Sequence, residues 1–157
     1  MKSERLVGRL LVTFEDLSPG LRHAVYLEIR NDGFDPVAVF NQPEITSEVY
    51  DPSGTPVPTL KSGANGPRQV RQWAVIPHSS YIGLRIDAQT GAVLTREHGM
   101  VLLALGGRRW GLKPGSYVLK ATALFKDEKD GPANQWVGEL DLPPVEIVVT
   151  PEMVATD

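Results

Sequence analysis

Leu112-Lys113-Pro114-Gly115-Ser116-Tyr117 runs directly into Val118-Leu119-Lys120-Ala121-Thr122-Ala123-Leu124-Phe125. Pro114 presets φ for the first central position of a turn, and Gly115 supplies the positive φ that a type II turn needs at the second. The strand that follows opens on a tyrosine. Tyr117, Leu119, Ala121, Ala123 and Phe125 share one face by the period of two, so the ring of Tyr117 enters the core side. A phenolic hydroxyl on that side needs a hydrogen-bond partner, and a backbone carbonyl just upstream is within reach. The arrangement expected is a tyrosine corner rather than an aromatic that merely begins a strand.

Outward from this strand, the rest of the chain repeats the same grammar. Leu6, Gly8, Leu10, Val12 and Phe14 alternate with Arg9, Thr13 and Glu15, and Val25, Leu27 and Ile29 alternate with Tyr26, Glu28 and Arg30. Alternation of this kind marks half-buried strands. Asn31-Asp32-Gly33 stops the second with turn chemistry. Further strands are expected at Val37 to Phe40, Ile45 to Tyr50, Gln72 to Ile76, Ile82 to Ile86, Met100 to Leu105 and Val145 to Val149. Asp51-Pro52-Ser53-Gly54 and Pro77-His78-Ser79-Ser80 read as turns, and Thr55 to Arg71 as a long irregular connection. No stretch sustains helical spacing with a cap at each end. The fold class expected is all-β, as one domain over residues 1–151 with a frayed tail at 152–157.

Three segments carry a resemblance to bacterial immunoglobulin- and fibronectin-like modules. They are Tyr26-Leu27-Glu28-Ile29-Arg30-Asn31, Ala74-Val75-Ile76-Pro77-His78-Ser79-Ser80 and Leu112-Lys113-Pro114-Gly115-Ser116-Tyr117. Their order is similar to that of the bacterial intracellular proteinase inhibitor type of domain, and Asp51-Pro52-Ser53-Gly54 suits the comparison. The resemblance implies an immunoglobulin-like antiparallel β-sandwich of about seven to nine strands. The chain departs from that type where a tryptophan-containing segment is expected soon after the Asp-x-x-Gly turn. The irregular Thr55 to Arg71 connection stands there instead.

Composition narrows the function classes. The 157 residues are 41% hydrophobic and 22% charged, with a net charge of -3. That describes an ordinary globular chain without the clustered basic character that a nucleic-acid backbone demands. Cysteine is absent, which removes disulfides, thiolate metal ligands and cysteine nucleophiles together. Arg9 interrupts the apolar run after Met1, so neither a signal peptide nor a membrane span is expected. A chain complete as given is expected in the cytoplasm. One from which an export signal has been removed is expected in the periplasm or outside the cell.

Chemistry-bearing constellations are sparse. His23, His78 and His98 are far apart and lack the spacing of a zinc site. No Gly-x-Ser-x-Gly elbow is present, and Gly106-Gly107-Arg108-Arg109 lacks the Lys-Ser/Thr ending of a phosphate loop. The acids of Lys126-Asp127-Glu128-Lys129-Asp130-Gly131 read as a solvated loop, with calcium as the alternative. Neither a metal nor a cofactor is therefore expected. Trp73, Trp110 and Trp136 sit near strand ends, with Arg108 and Arg109 before the second. Each ring either plugs an end of the core, the preferred reading, or is exposed to bind a protein or a glycan. The function expected is a non-catalytic binding or protein-interaction module with Trp73, Arg108, Arg109, Trp110 and Trp136 as binding candidates. The alternatives are a carbohydrate-binding module and a protease inhibitor presenting residues 55–71, with Lys61 or Arg68 as the anchor. A hydrolase ranks last, favoured only where loops gather a histidine with acids.

Overall fold

The computed structural model of the chain describes residues 5–17, 20–60, 70–86, 96–97 and 99–154. In chain order the strands are β1 (Leu6–Leu17), β2 (Gly20–Asn31), β3 (Val37–Phe40), β4 (Glu44–Tyr50), β5 (Trp73–Ile76), β6 (Tyr81–Arg85), β7 (Arg96–Glu97), β8 (Met100–Leu105), β9 (Arg108–Leu112), β10 (Gly115–Phe125), β11 (Gly138–Asp141) and β12 (Val145–Val149). One helical turn, α1 (Pro151–Val154), follows. The protein is all-β, and every strand pair is antiparallel.

β1 and β2 form a long hairpin paired from Leu6↔Asn31 to Leu17↔Gly20, and β6 extends it along the other side of β2. β10 is the spine of a second sheet. β4 lies along one edge of it, while β12 and β11 share the other edge end to end. β3 pairs with β5, and β7, β8 and β9 form a third group. The apolar faces of all these groups meet in one core, where Leu27 of β2, Val39 of β3, Leu103 of β8, Leu119 of β10 and Ile147 of β12 come together. Gly8 belongs to the inward face of β1 because the approach there leaves no room: a Cβ would stand 2.8 Å from Leu142 Cδ2.

The alternation read from the sequence predicts these faces. Val25, Leu27 and Ile29 are buried, and Leu119, Ala121, Ala123 and Phe125 are buried on β10. The Met100 to Leu105 run is a strand buried on both faces. Its partner β9 and the short β7 and β11 have no counterpart in the sequence reading, so the described strands number twelve. Gly106 and Gly107 both take positive φ, 60° and 77°, and close the β8–β9 hairpin in two residues. Positive φ at both central residues is the signature of a type I′ turn, whose twist suits a hairpin. Gly115 is positive as expected, but its φ of 154° is wider than a type II turn requires, and the residue already pairs with Val149. Of the tail expected at 152–157, Met153 and Val154 lie in α1 and pack against the core, and 155–157 lie outside the described residues.

Candidate functional site

Trp110 is the largest fully buried side chain, at 0% exposure, on β9 opposite Leu103. It is a core residue and presents nothing to a partner, which removes it from the binding candidates. Arg108 donates from Nη1 to the Ser47 carbonyl at 3.0 Å, and the Leu60 N–H donates to the Arg109 carbonyl at 2.8 Å. These two arginines tie β9 to β4 and to the segment after it. Trp136 meets Phe125 edge-on, with centroids 5.6 Å apart, and its half-buried ring closes one side of the core. Trp73 tilts against Phe40 at 5.1 Å, and the Arg71 guanidinium lies 4.4 Å from the centroid of the same Phe40 ring. The structure therefore separates the sequence candidates. Trp136 lies within the loop between β10 and β11 and Trp73 stands against that loop at Gly131, while Arg108, Arg109 and Trp110 belong to β9. Lys61 and Arg68 lie outside the described residues.

That β10–β11 loop spends its acids on protein partners. Arg71 reaches Asp130 at 2.9 Å and Glu128 at 3.6 Å. Gln135 donates to the Glu128 carbonyl and to Asp127, and accepts from the Glu128 N–H. Among the described residues, no group of three or more His, Asp or Glu side chains is placed to hold a metal ion.

The outer face of β1–β2–β6 is built differently. Its register sets three cross-strand rows: Val7–Arg30–Tyr81, then Arg9–Glu28–Gly83, then Leu11–Tyr26–Arg85. Successive rows are about 7 Å apart and neighbouring strands about 4.8 Å apart. Tyr81 and Tyr26 thus stand at either end of the face, with side-chain-free Gly83 leaving the middle of β6 open. Nothing lies within 4 Å of the position a Gly83 Cβ would take. Val7, Leu11, Tyr26 and Tyr81 are all exposed, Tyr81 by 68%. Ion pairs hold the charged groups between them. Arg9 Nε donates to Glu28 at 2.9 Å, and Arg30 grips Asp32 through two hydrogen bonds of 2.7 and 2.9 Å. The Arg30 fork keeps the Asp32 carboxyl below the usual carboxylate range.

A rigid corner extends this face beyond Tyr81. Asn31, with 0% exposure, sits at the end of β2. Its Nδ2 donates to the Asp35 and Ile76 carbonyls, both at 2.9 Å, and its Oδ1 accepts from the Gly33 N–H at 2.9 Å. Its main chain is bonded to Ser79 and Ser80 as well. One buried amide therefore locks the turn after β2 to the turn before β6. On that base Phe34 is held outward, 81% exposed, stacked on His78 at 5.8 Å.

The same corner brings a serine and a histidine together. Ser79, at φ 60°, places its Oγ 3.0 Å from His78 Nε2. His78 Nδ1 faces the Gly33 carbonyl, which can only accept, so Nδ1 carries the proton. A triad orients its histidine with a carboxylate at Nδ1. Here a main-chain carbonyl holds that place, and Asp32 is committed to Arg30.

Sequence reasoning placed Tyr26, Glu28 and Arg30 on the polar side of a strand and stopped there. It passed over Phe34 and Tyr81. The register between β1, β2 and β6 is what gathers them, and no local pattern encodes it. No protein-family model matches this chain, and neither the curated proteins nor the solved structures include a match to it.

Proposed function

We propose that the protein is a non-catalytic interaction module, an immunoglobulin-like β-sandwich that docks a protein partner on the outer face of β1–β2–β6. The observation that carries this reading is the cross-strand grid. It puts Tyr26, Tyr81, Val7 and Leu11 on one open face together with Arg9, Arg30 and Arg85. Tyrosine and arginine are the residues enriched at the centres of protein interfaces, where a large ring is buried at low entropic cost. Ion-paired guanidiniums and the Asn31-locked corner hold the surface in shape before a partner arrives, which lowers the ordering cost of binding. The sandwich reading is supported by the Tyr117 hydroxyl, bonded to the Lys113 carbonyl as a tyrosine corner requires, and by sheet faces sharing one core.

The test is affinity capture from the source cells, comparing the wild type with the double variant Tyr26→Ser, Tyr81→Ser. Both side chains are on the outer face, so the fold is expected to survive, as a thermal melt checks. A partner retained by the wild type and lost by the folded double variant is the expected result. A partner retained equally by both removes this face from function.

A further inference from the structure

A second, independent site lies on the opposite sheet. A groove of about 460 Å³ opens on the outer face of β4–β10–β12, within the size range of small-ligand pockets. Register again builds it. Tyr50, Val118 and Glu146 form one cross-strand row over β4, β10 and β12, and Ser116 and Lys120 flank Val118 along β10. The turn after β4 forms a wall, and it is stiffened from within. Asp51 Oδ1 accepts from Ser53 N, Ser53 Oγ and Thr55 N at 2.9, 2.6 and 3.0 Å. At the other end the Tyr117 hydroxyl is tied to the Lys113 carbonyl.

The groove's remaining polar groups are not used up by the protein. Among the described residues the Lys120 ammonium has one side-chain partner, the Tyr50 ring, with the nitrogen 5.0 Å from its centroid. Glu146 has no side-chain partner among them. Lys120 stands two residues along β10 from apolar Val118 and Glu146 directly across from it on β12, and no ion pair joins the two charges among the described residues. An interaction over an aromatic face preorganises an ammonium while leaving its other donors available.

We propose that this groove binds a short zwitterion with an apolar middle, of the amino acid or short-peptide class. Its carboxylate pairs with Lys120, its ammonium pairs with Glu146, and its apolar portion lies on Val118 and Tyr50. This assignment does not depend on the docking face of β1–β2–β6.

Glycyl-leucine is the probe, with its N-acetyl and C-amide forms, titrated against the wild type, Lys120→Met and Glu146→Gln by backbone amide NMR. Both substituted residues lie at the surface, and the spectra themselves report folding. In the wild type the free dipeptide is expected to shift the amides of Tyr50, Val118 and Glu146. Each cap is expected to weaken binding about tenfold or more, since each removes one charge-assisted contact. Lys120→Met should become indifferent to the C-terminal cap, and Glu146→Gln to the N-terminal one. Two results overturn the proposal: no shift at these amides with about 10 mM dipeptide, a weak-binding limit, or equal binding of capped and free forms to the wild type.

Discussion

The Tyr117 hydroxyl donates to the Lys113 carbonyl at 2.8 Å, closing a loop of main chain around the Pro-Gly turn that starts β10. The ring packs against the core while its hydroxyl end stays near solvent. Removing the hydroxyl alone isolates this bond. Tyr117→Phe is expected to lower stability by about 0.5–1 kcal/mol, the lower part of the range for one net hydrogen bond, because water can reach the freed carbonyl. Urea unfolding measures it. A midpoint equal to that of the wild type would show that the corner contributes nothing to stability.

Asn31 carries a heavier duty, because its three side-chain bonds are mostly sealed from water. Asn31→Ala leaves the Ile76 carbonyl and the Gly33 N–H without those partners. The expected loss is about 2–4 kcal/mol, from desolvated groups left unpaired. Hydrogen exchange should quicken at Gly33 and Ser79 before it does in β10. Uniform quickening over both sheets would contradict a local role for this amide.

Trp110 is expected to behave as a core anchor. Trp110→Ala should cost about 3–5 kcal/mol through lost burial and the cavity left behind. Trp110→Phe should cost less, since it keeps most of the apolar contact. Denaturant midpoints for the two variants, compared with Tyr81→Ala at the surface, provide the check. A Trp110→Ala effect as small as that of Tyr81→Ala would place the indole outside the core.

Acid stability should depend on Asp51. The Ser53 hydroxyl, and after it the Thr55 and Ser53 amides, hold its carboxyl below the usual carboxylate range. A folded-state pKa depressed in this way contributes stability that is present above the unfolded value. The contribution is lost as pH falls through the folded one. The effect therefore belongs below about pH 4. Asp51→Asn should destabilise at neutral pH and converge on the wild type in acid. Parallel stability curves for the two proteins across that range would refute the assignment.

Much of the fold was legible because it follows from local chemistry. Alternation marked β1, β2 and β10, turn residues bounded them, and Pro114-Gly115-Ser116-Tyr117 announced a bond that depends only on residues four apart. The strands that went unread have weak local signals. β9 begins with two arginines, and β11 is Gly138-Glu139-Leu140-Asp141, with one buried side chain. Their pairing with β8 and β10 supplies what their own residues do not. For Trp110 the residues left two readings open, a core plug, the preferred one, and an exposed anchor, and the structure agrees with the first. A tryptophan after two arginines has the composition of an interface, yet Trp110 points inward by the alternation of a strand that the sequence did not disclose.

The amino-acid sequence by itself determined that the chain is all-β, which faces of its long strands are apolar, and where it turns. Those properties arise from side-chain period and from the backbone limits of proline and glycine, which act within a few residues. Only the tertiary structure decided which strands are neighbours and in what register. Tyr26 and Tyr81, 55 positions apart by their numbers, share a face because β2 and β6 pair Tyr26↔Arg85 and Arg30↔Tyr81. Lys120 and Glu146 flank one groove because β12 pairs with β10. Both surfaces are products of long-range pairing, and a shift of one residue in register would turn either set of side chains into the core.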